Sequence, residues 1–187
     1  MPADSAHLGL ADAELVRRAR QGDASAFKDL VGRHAARLLA MAAALLGDAA
    51  DAEDVVQETF AGAFRGLRGF EGRSSVKTWL TSILMRQTAM HRRGSGRRAA
   101  RLLRAEAASE TTTGAASATG AADARMDVAA AIQLLSPEHR DVVALREFEG
   151  LSYDEMTQVL GIPRGTVESR LFRARRQLQE HLKAYLP

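Results

Sequence analysis

Cysteine is absent from the 187-residue chain. That excludes a disulfide framework, a thiolate zinc site and a thiol redox switch within it, so any redox or metal sensing would reside in a partner. Aromatic residues make up only 5% and proline occurs 4 times. Hydrophobic content is an ordinary 46%, but 36 of those residues are alanine. Alanine adds little core and favours helices. No apolar run approaches the roughly 20 residues that span a bilayer. Met1 to Gly9 contains Asp4 and no long apolar stretch, unlike a signal peptide. These absences predict a reducing, cytoplasmic setting and no stable membrane insertion. The 5 histidines are dispersed without ligand spacing, so no metal and no cofactor is expected.

Charge is present but unevenly placed. The net +3 conceals alternating blocks. Residues 1–62 carry 6 basic and 10 acidic side chains, and residues 63–104 carry 11 and 1. Residues 126–163 carry 2 and 7, and residues 164–187 carry 6 and 2. Two basic blocks, each following an acidic one, predict two polyanion contacts on two modules. Between them Ala105 to Ala124 holds no large apolar residue. It cannot offset its own ordering entropy, which marks a linker.

Helical periodicity accounts for the rest, and no segment alternates as a strand does. Asp12 is placed to cap a first helix ending near Gly22. Asp23 caps a second that Gly47 ends, and Asp48 a third reaching about Leu67. Gly66, Gly69 and Gly72 bracket a loop around Phe70. Ser74 or Ser75 caps a fourth helix, which Gly94–Ser95–Gly96 is expected to stop near Arg93. Beyond the linker, Met126 to Leu135 reads as a helix, and Ser136–Pro137 starts another that Gly150 ends. Ser152 and Glu155 form a capping box for a short helix ending at Gly161. Pro163 opens the last, to about Tyr185. The predicted class is all-α: a helical domain over 1–98, a linker over 99–125 and a helix-turn-helix domain over 126–187.

A short helix, a tight turn and a longer basic helix is the layout of a helix-turn-helix. On a helical wheel Val167, Leu171, Ala174 and Leu178 face the core. Ser169, Phe172, Arg173 and Arg176 point away, with Arg164, Arg170 and Arg175 on the flanks. Arg can bond guanine bidentately, Ser can donate or accept, and Phe can touch a thymine methyl. A solvated amphipathic helix would show a similar wheel.

Two further helices carry polar patterns. In the third, Asp51, Asp54, Gln57 and Glu58 oppose a buried face, giving a stripe of carboxylates. That stripe suits a basic partner protein, or simply a solvated helix start. In the fourth, Val76, Trp79, Leu80, Ile83 and Leu84 share a core face, while Lys77, Thr78, Thr81, Met85, Thr88 and Arg92 are expected to face outward. Arg92, Arg93 and the arginines that follow supply most of the positive block. Such a cluster beside a glycine-bracketed loop suits single-stranded or melting DNA.

Two segments resemble a known family. LSYDEMTQVLGIPRGTVESRLFRARRQL, Leu151 to Leu178, resembles the fourth conserved region of bacterial RNA polymerase sigma factors. DAEDVVQETF, Asp51 to Phe60, resembles their second conserved region, and Glu14 to Phe27 is similar to the family's opening. With no intervening third domain, the pattern looks like the compact extracytoplasmic-function class. The resemblance implies that Asp51, Asp54, Gln57 and Glu58 contact the polymerase core. It implies −10 promoter contacts at Phe70, Lys77, Thr78, Thr81, Met85, Arg92 and Arg93, with Phe70 walling a pocket for a flipped base. It implies −35 contacts at Arg164, Thr166, Ser169, Arg170, Phe172, Arg173 and Arg176. Core polymerase and promoter DNA are the implied partners, with an anti-sigma factor beside them, and the chain itself performs no chemistry. Thr81–Ser82 and Met85–Arg86 depart from the family's usual aromatic or Arg after the Trp-Leu pair and its Arg-Asn pair, so −10 base identity does not carry over. A DNA-binding regulator with an unrelated N-terminal module, or an adaptor whose Arg face binds acidic protein, are the competing readings.

Overall fold

The computed structural model describes residues 11–107 and 130–182, and the described residues form only helices and turns. The N-terminal unit comprises α1 (Asp12–Arg20), α2 (Ala24–Leu46), α3 (Ala49–Gly66) and α4 (Val76–Ala107), with one 3-10 turn at Leu67–Gly69 before α4. The C-terminal unit opens on helical residues 130–134. Next come α5 (Pro137–Val143), a π-helical turn (Ala144–Phe148), α6 (Tyr153–Leu160) and α7 (Arg164–Leu182).

Local chemistry sets most of the ends. The Asp23 carboxylate accepts from the backbone N–H of Ser25 and Ala26, and Asp48 accepts from Asp51. These bonds satisfy donors that a helix start leaves open. Ser75 Oγ accepts from Thr78 N at 3.0 Å, so Ser75, not Ser74, caps α4. Ser152 and Glu155 form the expected capping box, and Gly161 closes α6 in the left-handed conformation. Asp12 does not cap α1; it is the helix's first residue, preceded by Ala11, which makes no side-chain cap. Its carboxylate instead meets His34 at 2.8 Å and Arg33 at 3.1 Å, tying α1 to α2.

Helices α2, α3 and α4 bury a common core. Leu38, Met41 and Leu45 of α2 meet Val55 and Ala63 of α3 and Leu80 and Leu84 of α4. Each fully buried Leu or Met side chain contributes about 1.5–3 kcal/mol. Two buried hydroxyls are satisfied within their own helix: Thr59 donates to Val55 O at 2.7 Å and Thr88 to Leu84 O at 2.9 Å. In the C-terminal unit Val142, Leu145, Met156, Val167 and Leu171 pack between α5, α6 and α7.

The two units share one continuous apolar cluster. Helix α6 lies on α4, and the π-helical turn and α5 lie on α2. Polar bonds fasten the seam. Gln133 Nε2 donates to Ala44 O, and Arg140 Nη1 to Leu45 O, each at 2.8 Å. Gly47 allows this approach: its φ is +78°, and a Cβ there would lie 2.7 Å from Gln133 Oε1.

The chain departs from the sequence expectation after Arg93. Helix α4 does not stop at Gly94–Ser95–Gly96 but runs to Ala107. Neither glycine has a neighbour that a Cβ would strike, and neither has a positive φ. A helix tolerates an isolated glycine at about 1 kcal/mol, and the following RRAARLLRAEA is composed of strong helix formers. Residues 99–107, expected as linker, are therefore helical; the remainder of that segment, 108–125, and the start of the expected Met126 helix lie outside the described residues. If the helix is continuous, Gly94→Ala and Gly96→Ala should each stabilise the protein by about 0.5–1 kcal/mol. Urea unfolding checks this, and a loss of stability would mean that the glycines terminate the helix after all.

Candidate nucleic-acid and partner interfaces

The acidic stripe is where the sequence puts it. Asp54, Gln57 and Glu58 are exposed on α3, opposite the buried Ala52, Val56 and Thr59. Asp51 is partly covered, with its Oδ1 3.3 Å from His91 Nε2 of α4. Glu58 has only a distant partner, Arg65 at 3.8 Å, and both side chains are largely exposed. The stripe's carboxylates are thus available to an outside cation.

The loop before α4 forms an open pocket of about 200 Å³, lined by Gly69, Phe70, Glu71, Arg73, Ser74 and Trp79. Phe70 and Trp79 stack in a tilted pair with ring centroids 4.6 Å apart. Arg20 of α1 donates to Phe70 O at 3.3 Å and holds the loop from below. An aromatic wall beside Arg73, which pairs with Glu71 on the same rim, has the chemistry to accept a flat, extruded base. Trp79 belongs to both the core edge and the pocket.

The outward face expected on α4 is covered. Thr88, expected outward, is fully buried and donates to Leu84 O of its own helix, and Thr78, Thr81 and Met85 are 4%, 0% and 5% exposed. The cover is the C-terminal unit. Thr78 Oγ1 donates to Glu155 Oε1 at 3.3 Å, and Thr81 Oγ1 donates to Glu149 Oε2 at 3.2 Å. Lys77 Nζ donates to Glu149 O at 2.6 Å. Arg92 is not open to solvent either; it pairs with Asp141 at 2.6 Å, both side chains about four-fifths covered. Arg93 is exposed. A wheel describes one helix against a single core and cannot anticipate a second unit on its other face.

The last helix divides as its wheel predicts. Val167, Leu171 and Ala174 are fully buried, whereas Ser169, Phe172, Arg173 and Arg176 are exposed, Phe172 at 70%. Thr166 and Arg170 are half-buried on the flank. Arg164 is bonded to Asp154 at 3.1 Å and Glu168 at 2.9 Å, and Arg176 to Glu180 at 3.3 Å. Arg173 has no ion pair among the described residues. An exposed Phe and an uncommitted Arg on one crest are matched to base edges in a major groove.

Two residues escaped sequence reasoning: Arg37 and Glu149. Glu149 follows the π-helical turn, and its side chain has no exposed surface. It forms an ion pair with Arg37 of α2, and Arg37 also donates to Thr81 at 3.2 Å. The charge map offered a signal for Glu149 alone, since the acidic block at 126–163 answers the basic block at 63–104 that holds Lys77; Arg37 lies in the acidic block at 1–62 and carried no such signal.

Comparison with known proteins adds to this geometry. Residues 30–98 match Sigma-70 region 2, and residues 125–178 match Sigma-70 region 4. The chain is 34% identical to the RNA polymerase sigma-H factor of Pseudomonas aeruginosa, over 94% of this chain and 95% of that one. It is 32% identical to the ECF RNA polymerase sigma-E factor of Escherichia coli K12, over 93% and 95%. Among solved structures it is similar to CnrH in complex with the cytosolic domain of CnrY, with a TM-score of 0.68 and 31% identity over 94% of this chain and 99% of that one. It is also similar to the sigma factor RpoE in complex with the anti-sigma factor NepR from Bartonella quintana, with a TM-score of 0.69 and 30% identity over 84% and 96%.

Protonation reports on the seam between the units. Burial pushes the Asp141 carboxyl up, against the pull of Arg92. Glu155 is held below the usual carboxylate range, first by the Ser152 backbone N–H, then by the Ser152 hydroxyl, with Thr78 and Lys77 adding to it. A carboxylate whose folded value is depressed stabilises fully above its unfolded value and loses that contribution as pH falls through the folded one. Replacing Glu155 by Gln should therefore flatten the acid limb of stability. Between about pH 5 and pH 3, the urea midpoint of Glu155→Gln should fall less than that of the parent; equal slopes would exclude Glu155 as a source of the acid dependence.

Proposed function

The chain belongs to the sigma-70 family, in its extracytoplasmic-function (ECF) class, and on that premise we propose that it is a promoter-specificity subunit of bacterial RNA polymerase. It directs the core enzyme to specific promoters for transcription initiation. The observation that carries this reading is the presence of both conserved regions on one chain, each with its own polyanion- or protein-facing surface. The N-terminal unit, residues 1–98, docks on core polymerase through Asp51, Asp54, Gln57 and Glu58. The same unit binds and helps melt the −10 element, with the flipped base held against Phe70 and the strand followed by Lys77, Thr78, Thr81, Met85, Arg92 and Arg93. The C-terminal unit, residues 126–187, places α7 in the major groove of the −35 element. There Ser169, Phe172 and Arg173 meet base edges, while Arg164, Thr166, Arg170 and Arg176 position the helix on phosphates. Residues 99–125 connect the two, the first nine of them as the end of α4.

The chain makes and breaks no covalent bond in this role, because the polymerase supplies the chemistry. It works where the polymerase works, in the cytoplasm; no helix of the described residues is long and apolar enough to cross a membrane. An anti-sigma factor is a further proposed partner, since a structural relative was solved with one.

The test is transcription in vitro with bacterial core polymerase on a library of promoter fragments. Addition of the chain should produce starts at defined positions; sequence-specific duplex binding without polymerase and without new starts would replace this reading with a DNA-binding regulator. In the same assay Asp54→Lys combined with Glu58→Lys should weaken core binding without unfolding the chain. Arg173→Ala should reduce discrimination at one −35 base pair by about 1–3 kcal/mol. An equal loss on every sequence would make Arg173 a phosphate contact.

A further inference from the structure

One cleft and three cations stand outside the surfaces described so far. The end of α1 and the end of α3 with its 3-10 turn frame a cleft of about 510 Å³. That is more than twice the loop pocket, and it lies within the range of about 300–1,000 Å³ typical of small-molecule sites. Arg20, Arg65 and Arg68 line it, and no acidic residue does. Arg65 meets only Glu58, at 3.8 Å. Among the described residues neither Arg20 nor Arg68 has an ion-pair partner. Phe64 forms one wall and is 59% exposed. Phe27 packs against it edge-on, with ring centroids 5.1 Å apart, and holds the ring in place. Arg65 and Arg68 open the basic block at 63–104, yet neither the docking stripe nor the −10 contacts use them.

We propose that this cleft binds a free nucleoside di- or triphosphate, with the base stacked on Phe64 and the phosphates held by Arg20, Arg65 and Arg68. Charge, shape and position each favour that ligand. Three guanidinium groups around one space repel one another, and a ligand with several negative charges relieves that repulsion. A DNA strand spreads its charges along its length, one per phosphate, whereas a polyphosphate concentrates them in one cleft. Each guanidinium also presents a fork of donors that matches phosphate oxygens. An exposed phenylalanine ring is a stacking platform that accepts any base, so the site reads the phosphates more than the base. Arg20 then links the cleft to its neighbour. It lines the cleft while donating to Phe70 O at 3.3 Å, and Phe70 stacks on Trp79. Phosphates that draw Arg20 into the cleft compete with that bond, so occupancy is transmitted to the loop pocket. The assignment does not rest on the promoter reading, which makes no use of the cleft.

The test uses the full-length chain and isothermal titration calorimetry with GTP, GMP and inorganic tripolyphosphate. GTP and tripolyphosphate should bind saturably at a single site, GTP the more tightly, with GMP about ten-fold weaker than GTP. Arg65→Ala and Arg68→Ala, both at exposed positions, should each weaken GTP about ten-fold. Phe64→Ala should weaken GTP about ten-fold as well while leaving tripolyphosphate unaffected. Emission from Trp79, the only tryptophan, should shift as tripolyphosphate fills the cleft of the parent and stay constant in Arg20→Ala. Absence of saturable GTP binding overturns the proposal. So does a GTP affinity unchanged by combining Arg65→Ala with Arg68→Ala, because the nucleotide then sits elsewhere. A single-stranded oligonucleotide that needs Arg65 and Arg68 when GTP does not bind gives the cleft to the DNA strand and overturns the free ligand. Binding that leaves Trp79 emission constant in the parent overturns the link to the loop pocket.

Discussion

Helix α4 is asked to be buried on two sides, and the rest of the molecule is arranged around that demand. One side carries Val76, Leu80, Ile83 and Leu84 and completes the core with α2 and α3. The other carries Met85 beside Lys77, Thr78 and Thr81, whose polar groups no apolar core could accept unsatisfied. Polar partners must come with the cover, and Glu149 and Glu155 bring them. Arg37 then has to be drawn in from α2 to neutralise Glu149. Gly47, whose φ of +78° favours glycine, leaves room for Gln133 to reach the end of the same helix. The seam between the units is thus a consequence of one helix with two incompatible faces.

This explains how far the sequence could be read. Elements whose ends are local chemistry were legible, because Asp23, Asp48 and the Ser152–Glu155 box sit beside the donors they satisfy. The α7 crest and the α3 stripe were legible for a related reason: each of those helices has a single buried face, so a wheel sorts its residues correctly. On α4 the wheel assigned Thr78, Thr81, Met85 and Thr88 to solvent, because periodicity locates a core but not a second unit whose acids lie 68 and 77 residues further along the chain. Glycine as punctuation failed at Gly94 and Gly96, where the flanking arginines, alanines and leucines favour the helix on both sides.

The charge map gains a second meaning from the same contacts. Alternating blocks pointed to outside partners, acidic faces for protein and basic faces for DNA. Among the described residues, the acids of α3 do face outward, whereas Asp141, Glu149 and Glu155 are engaged within the chain. A modest net charge here reflects internal compensation between units, not weak electrostatics.

The continuation of α4 past its glycines changes what the chain can reach. From Gly96 to Ala107 the helix adds about 16 Å of stiff length. Residues 108–129 follow, and 22 residues of any conformation span at most about 75 Å. Promoter elements centred 25 positions apart are separated by about 85 Å along B-form DNA. The connecting segment alone falls short of that span, and segment plus helical extension just covers it. The extra turns of α4 lengthen the greatest reach from Gly96 to the C-terminal unit by about a fifth, reach that is available to two units proposed to sit on separate elements of one promoter.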